Sequence, residues 1–586
     1  MNRQSRALLT ILIVAVLLVP AYLSRCSRSG PSTARSSAAP GTGTPVRGGT
    51  LTASARSEPR TFNRIASNSF STELFANLTQ AKLVRVNKAT GTLEPWLAEK
   101  WSTNDGMTYT LLLREGLKWS DGTPFTSADV TFSFDAAFQK GGILGSALTV
   151  GGVPLKAIAS DPRTVVVTYP EPLAPGLRLL DNLPIFPKHK LEAALRRGAF
   201  NDAWSAATPP SELAGLGPFM LVRYEPGQRL TYDRNPNYWR KDERGEPLPY
   251  LDRIIIEIVP QQDAEIVRLQ AGQIDVMQQQ LRATDISTFR TLAEQGKVQL
   301  LDLGVAPDPD HFLFNLRPTK WATDPRGPWL SRKEFRQAIS HAVDREAFAN
   351  TVFLGEAVPI HGPITPGNRE WFWPDITRYQ YSLEKSRELL AGLGLRNRDD
   401  DQWLEDAKGN EARFTLQIFG GASVIERSAE VVRDDLQQVG IAVDIVPLEL
   451  NTVIAHVVTG DFDAALVAFQ MTDLDPAISF DFWLSSGSSH LWNPEQKAPA
   501  TDWERDIDAI LHKQATTTDM QERKRLFNDA QRIFAENLPI LYFAAPRSYL
   551  AVTPRVVTMT PTVSRPQVLW NPEAISVAAG SGRPPS

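Results

Sequence analysis

Between residues 413 and 469 the chain alternates two kinds of apolar pattern. RFTLQIF (413–419), AVDIVPL (442–448) and DAALVAF (463–469) are short strand-like runs, and ERSAEVVRDDLQQVGI (426–441) between the first two has helical periodicity. Strand, helix, strand over so short a span suits a sheet with covering helices, an α/β class. The surrounding sequence extends that reading. YSLEKSRELLAGLGL (381–395) carries a helix over 382–395, with Ser382 as its cap. DMQERKRLFNDAQRIFAEN (519–537) is a longer amphipathic helix leading into a strand, LPILYFAA (538–545). Ser331 and Glu334 have capping-box spacing, and Phe335, Ala338, Ile339, Ala342 and Val343 form one apolar stripe, so a helix is expected over 332–348.

The first half reads differently. GGTLTAS (48–54) is a first strand. Short strands and turns follow: an extended run at 107–113, a turn at Ser120–Pro124, a helix capped by Thr126, and TVVVTY (164–169). Residues 215–260 hold further strands, ending in LDRIIIEIVP, an apolar run suited to a covered sheet. At 586 residues, the chain is long enough for roughly two or three domains.

The opening resembles an export segment, with Arg3 and Arg6 ahead of an apolar run from Ala7 to Val19 that Pro20 ends. Residues 1–26 are therefore a targeting segment and 27–47, rich in Ser, Gly, Pro, Thr and Ala, a flexible tether. Three fates are open. Leu23 and Ser24 precede Cys26 as in a lipoprotein signal, but Arg25 stands where that signal has a small residue. Val19-Pro20-Ala21 suits a signal peptidase, and an uncleaved anchor is the third. Each places the body outside the cytoplasmic membrane. Cys26 is the sole cysteine, which excludes an intrachain disulfide and thiolate metal clusters.

The net charge is −4, and the five arginines among residues 1–40, with no acid beside them, leave the body near −9. That balance argues against a nucleic-acid partner. The seven histidines show no metal-ligand spacing, and neither G-x-S-x-G nor a Walker loop is present. Ser382-x-x-Lys385 matches S-x-x-K but lacks its companion motifs and sits at a helix cap. The chain is read as non-enzymatic, with no cofactor and no metal.

Several blocks carry a resemblance. LAEKWSTNDGMTYTLLLREGLKWSDGTPFTSADV (97–130) is the most distinctive. GPFMLVRYEPGQRLTYDRNPNYW (217–239), LPYLDRIIIEIV (248–259), RLQAGQIDVM (268–277), FRQAISHAVDREAF (335–348), GDFDAAL (460–466) and RKRLFNDAQRIFAENLPILYF (523–543) follow in order. Together with 381–395 they resemble extracellular solute-binding protein family 5, the dipeptide and oligopeptide receptors of ABC importers. The resemblance implies a two-lobed periplasmic-binding-protein-like cleft fold. Lobe I would span 48–305, with a subdomain near 80–210, and lobe II 306–511; residues 512–575 would return to lobe I and 576–586 would be a disordered tail. It also implies a monomer that traps a peptide or other small solute between its lobes and presents the closed form to permease and ATPase subunits.

In peptide receptors of this family an Asp on the second lobe binds the ligand's amino terminus, three residues after a Trp and three before an acidic residue followed by Pro. Here Asp475-Pro476 ends the pattern and Phe469 stands at the Trp position, so ungapped counting lands on Thr472; a one-residue shift supplies Asp473. Asp473 is the expected ammonium partner, with Phe469, Gln470, Met471 and Thr472 lining the cleft. Asn68 and Ser69, from the loop after the first strand, and His361 and Gly362 from HGPITP are further expected contacts, and Trp371 and Trp373 lie nearby. The Thr472 register leaves a non-peptide solute (an oligosaccharide, an opine-like conjugate or a metal chelate) as the alternative, with an exported hydrolase more remote.

Overall fold

A computed structural model describes residues 43–277, 279–469, 473–494 and 496–578. The targeting segment, including Cys26, lies outside them. Among the described residues no helix is long and apolar enough to cross a membrane.

Lobe I is built on an eight-stranded mixed sheet. Its first strand, Thr50–Ala55, runs parallel to Arg253–Ile258 and to Val276–Met277, which puts Leu51, Ala53 and Ala55 out of reach of water. The chain's last long strand, Ala544–Val552, joins the same sheet between Val276–Met277 and Gln299–Val305. Buried Asp275 ties the two ends together: its carboxylate accepts from the Thr52 N–H (3.0 Å), the Thr553 hydroxyl (3.0 Å) and the Arg555 guanidinium (2.7 and 2.9 Å). Glycine is required where Gly217 approaches the end of helix Phe70–Thr79. A Cβ there would lie 2.5 Å from the Thr79 carbonyl carbon and 2.7 Å from the Gln80 nitrogen.

A separate four-stranded antiparallel sheet, Ala98–Ser102, Thr108–Leu113, Thr164–Thr168 and Lys156–Asp161, shares its core with the eight-stranded one. Helix Ser127–Ala137 packs on it and is capped by Thr126 and Asp129 in a reciprocal box. Trp119, in the preceding turn, is fully buried.

Lobe II has a five-stranded sheet in the order Ala442–Leu448, Arg413–Phe419, Ala464–Ala468, Asp310–Phe314, Ile540–Leu541. The first three are parallel, as the alternating sequence pattern requires. Helix Ser423–Gln437 covers one face through Ile425, Ala429, Val432 and Leu436. Helices Asp502–Thr516 and Met520–Asn537 cover the other, where Ile507, Leu511, Phe527, Ala530 and Phe534 meet Leu313, Ala465 and Tyr542.

Several expectations need correction. The chain does not return to lobe I at 512, because that position lies inside helix Asp502–Thr516, whose apolar face is part of the lobe II core. It crosses at 541–544, between a strand of one sheet and a strand of the other. The run 538–545 is accordingly two strands, not one. The helix expected over 332–348 is also two, Lys333–Ala342 and Arg345–Phe353. Val343 is extended, and Asp344 caps the second helix by accepting from the Glu346 and Ala347 N–H groups. The Ser331 capping box does not form; that hydroxyl donates to the Gly327 carbonyl instead. The expected tail begins too early, since Ser576–Val577 pairs with Val556–Thr558. Nor is the tether free along its whole length, because the Arg47 guanidinium donates to the Pro247 carbonyl (2.5 and 2.6 Å).

Two buried arginines brace the second crossing without a carboxylate. Arg336 donates to the carbonyls of Ser331, Asn537 and Leu538, closing the C-terminus of helix Met520–Asn537. Arg345 donates to those of Ser340, Ile360, Tyr379 and Tyr542. Burial lowers both guanidinium pKa values to about 10.

Candidate functional site

The two lobes meet at the loop that follows strand Ala464–Ala468. Asp475 anchors this loop. Its carboxylate takes two parallel hydrogen bonds from Arg523 of helix Met520–Asn537 (2.7 and 3.0 Å), and both side chains are almost fully buried. Arg523 also lies 5.0 Å from the ring centre of Trp371. The Asn368 amide donates to the Leu474 carbonyl (2.9 Å), and the Ser479 hydroxyl donates to the Asp473 carbonyl (2.9 Å).

This scaffold fixes Asp473 with its carboxylate toward lobe I. There the Arg178 guanidinium, on the 3₁₀ segment Gly176–Asn182, donates to Asp473 Oδ1 from Nη2 (2.8 Å) and Nε (3.2 Å). Arg178 Nη1 donates in turn to the Gly91 carbonyl (2.8 Å). Burial raises the Asp473 carboxyl above its ordinary value, and the Arg178 charge opposes that shift. Burial alone would lower Arg178, but the charge and hydrogen bond of Asp473, together with the charges of Asp475 and Asp181, outweigh it and the guanidinium pKa is raised. A cavity of lobe I lined by Gln80, Lys82, Arg85, Lys88 and Trp96 adjoins this contact, close enough for Lys88 to feel the Asp473 charge.

The other expected contacts fall as follows. Phe469 stacks on Phe482 (centroids 5.6 Å, planes 26° apart) and packs on His311 (5.5 Å). Gln470, Met471 and Thr472 lie outside the described residues. Asn68 is exposed, while the Ser69 hydroxyl caps helix Phe70–Thr79 by accepting from the Thr72 N–H (3.4 Å). His361 Nδ1 is buried without a hydrogen-bond partner, and burial, with the charges of Arg345 and Arg378 behind it, pushes that imidazole down to about 4. Gly362 sits against Ile376, whose Cδ1 would be 2.6 Å from an added Cβ. Trp371 packs in the lobe II core edge-on to Phe527.

Sequence reasoning missed Arg178 and Arg523, the two cations that organise the loop. It gave no binding role to Asp310 or His311, which open strand Asp310–Phe314. Burial pushes the Asp310 carboxyl up to about 6 and the His311 imidazole down to about 4.

Two mixed sheets, with an ion pair bridging the lobes, define a two-lobed binding protein. Residues 92–490 match the family model described as "Bacterial extracellular solute-binding proteins, family 5 Middle", and the chain belongs to that family. It is similar to a probable ABC transporter-binding protein of Deinococcus radiodurans, at 27% identity over 87% of this chain and 89% of the relative. The oligopeptide-binding protein AppA of Bacillus subtilis is 25% identical over 94% of this chain and 95% of its own. Among solved structures, a periplasmic binding protein of Agrobacterium fabrum in complex with stachyose superposes with a TM-score of 0.71 at 22% identity, covering 92% of this chain and 86% of that one.

Proposed function

We propose that the chain captures peptides between its lobes outside the cytoplasmic membrane and delivers them unaltered to the permease of an ABC importer. The observation that carries the reading is the Asp473 carboxylate, held on a braced loop and engaged across the lobes by Arg178. In this account Arg178 occupies the position of a ligand cation, and the amino terminus of a bound peptide takes its place on Asp473. The protein acts as a monomer whose N-terminus attaches it to the membrane or is cleaved.

Calorimetry with short peptides and their N-acetylated forms tests this. Asp473→Ala removes one charge-assisted hydrogen bond, worth ~1.5–3 kcal/mol, and weakens free-amino peptides roughly ten- to a hundredfold. Acetylation weakens binding equally in the wild type and adds nothing in the variant. Peptides that bind the variant at full affinity would remove Asp473 from the site.

A second reading is favoured by the same ion pair. Because Arg178 already neutralises Asp473, the cleft also suits an uncharged solute, the class of ligand that the Agrobacterium protein holds. Mass spectrometry of material released from the purified protein by denaturation separates the two.

A further inference from the structure

Outside the interlobe contact, lobe II carries a segment, 396–411, between helix Leu383–Gly392 and strand Arg413–Phe419. A short ladder closes it: the Arg396 N–H donates to the Glu405 carbonyl (3.0 Å), the Glu405 N–H to the Arg396 carbonyl (2.9 Å), and the Ala412 N–H to the Leu404 carbonyl (2.6 Å). Inside this closed segment the side chains of Asp399, Asp401 and Glu405 converge, each offering a carboxylate oxygen within 4.8 Å of the other two.

Such convergence is costly unless something positive enters it. The two aspartates are exposed, but Glu405 is 5% exposed. One of its oxygens, Oε2, accepts from the Arg398 N–H (2.9 Å), while Oε1 is buried with no hydrogen-bond partner. Among the described residues none of the three carboxylates forms an ion pair. Glu405 therefore brings a buried, unpartnered oxygen to a segment where two further carboxylates converge.

We propose that Asp399, Asp401 and Glu405 form a binding site for a hard divalent cation of the calcium class. All the ligand atoms are oxygens, the type that calcium takes. Oxygens held at ~2.3–2.6 Å from one centre lie at most ~5 Å apart, and the observed limit of 4.8 Å meets that condition. Three carboxylates leave several positions for water, which makes the site a weak one suited to millimolar extracellular calcium. The segment rests on the lobe II core, with the Leu404 N–H donating to the Gly440 carbonyl (2.9 Å) and the Gln437 amide to the Gln402 side chain (3.1 Å). A bound ion therefore pins this loop to the end of helix Ser423–Gln437, and it does so whatever the cleft binds.

Trp403, two residues from Asp401 and tied to it by its backbone N–H, which donates to Asp401 Oδ1 (2.6 Å), provides the readout. The chelator-treated full chain is titrated with terbium under indole excitation, then with calcium, and its melting temperature is measured with and without calcium. The proposal expects saturable sensitised emission that calcium reverses, and a higher melting temperature at about 1 mM calcium. Asp399→Asn/Asp401→Asn weakens both responses at least tenfold. Trp403→Phe removes most of the emission and keeps the calcium-dependent stabilisation. No calcium response in the wild type, which would leave a shared proton on Glu405, overturns the proposal; so does an unchanged response in the double variant, which would place the ion elsewhere.

Discussion

Asp475→Ala should destabilise lobe II severely, and the size of the effect follows from the surroundings of Arg523. The guanidinium is 3% exposed and its two strong hydrogen bonds, at 2.7 and 3.0 Å, go to the Asp475 carboxylate. Its remaining polar partner is the Gln514 carbonyl at 3.3 Å, a neutral group. Removing the carboxylate strands a buried positive charge, at a cost of about 3–5 kcal/mol. For a lobe of this size, each kcal/mol moves the melting temperature by ~2–4 °C, so the lobe II transition should fall by roughly 6–20 °C in differential scanning calorimetry. Asp475→Ala/Arg523→Met leaves no charge to strand and should lose distinctly less than the single variant. A single variant that loses under about 1 kcal/mol, or a double variant that loses as much as the single, would refute the argument that charge burial sets the penalty.

Three further outcomes are expected. Arg178→Ala frees Asp473 from its internal partner and should tighten free-amino peptides roughly two- to tenfold, the worth of one ~0.5–1.5 kcal/mol contact, while N-acetylated peptides gain nothing; isothermal titration reads both. Gly217→Ala drives a methyl into the Thr79–Gln80 backbone, should cost ~1–3 kcal/mol, and shows as a lower melting temperature by circular dichroism. His311 is folded in its neutral form with a pKa of about 4 against an ordinary value of ~6.5, so the unfolded chain binds more protons between those values. Its stabilisation is complete above ~6.5 and is lost as pH falls toward 4, by about 2 kcal/mol between pH 7 and 5. Asp310, raised to about 6 by burial, works in the opposite sense over part of that range. The difference between wild type and His311→Gln in urea midpoints against pH therefore isolates the histidine, and equal pH slopes would remove it as a contributor.

Local pattern was enough for much of lobe II. The 413–419 and 442–448 runs are strands to the residue, and the 519–537 run is the helix Met520–Asn537, because each depends on periodicity inside one segment. The break at Val343 was hidden because the apolar stripe continues across it; the available signal was Asp344, a cap in the middle of an apparent helix. LPILYFAA reads as one strand because both of the sheets it serves demand apolar residues, and nothing local marks the crossing. The candidate site was half legible. Asp473 stood out against a family pattern, but its partner lies 295 residues away on another lobe. Arg178 has no local feature that distinguishes it from the other arginines of the chain. The acids at 399, 401 and 405 are plain in the sequence, whereas their convergence depends on the ladder that closes the segment.

Solution scattering on the ligand-stripped protein, before and after it is loaded with a peptide it captures, tests the central claim most directly. The account predicts a smaller radius of gyration on loading and a peptide recovered afterwards at its original mass. An unchanged radius with the peptide demonstrably bound, or a peptide recovered as fragments, would contradict it.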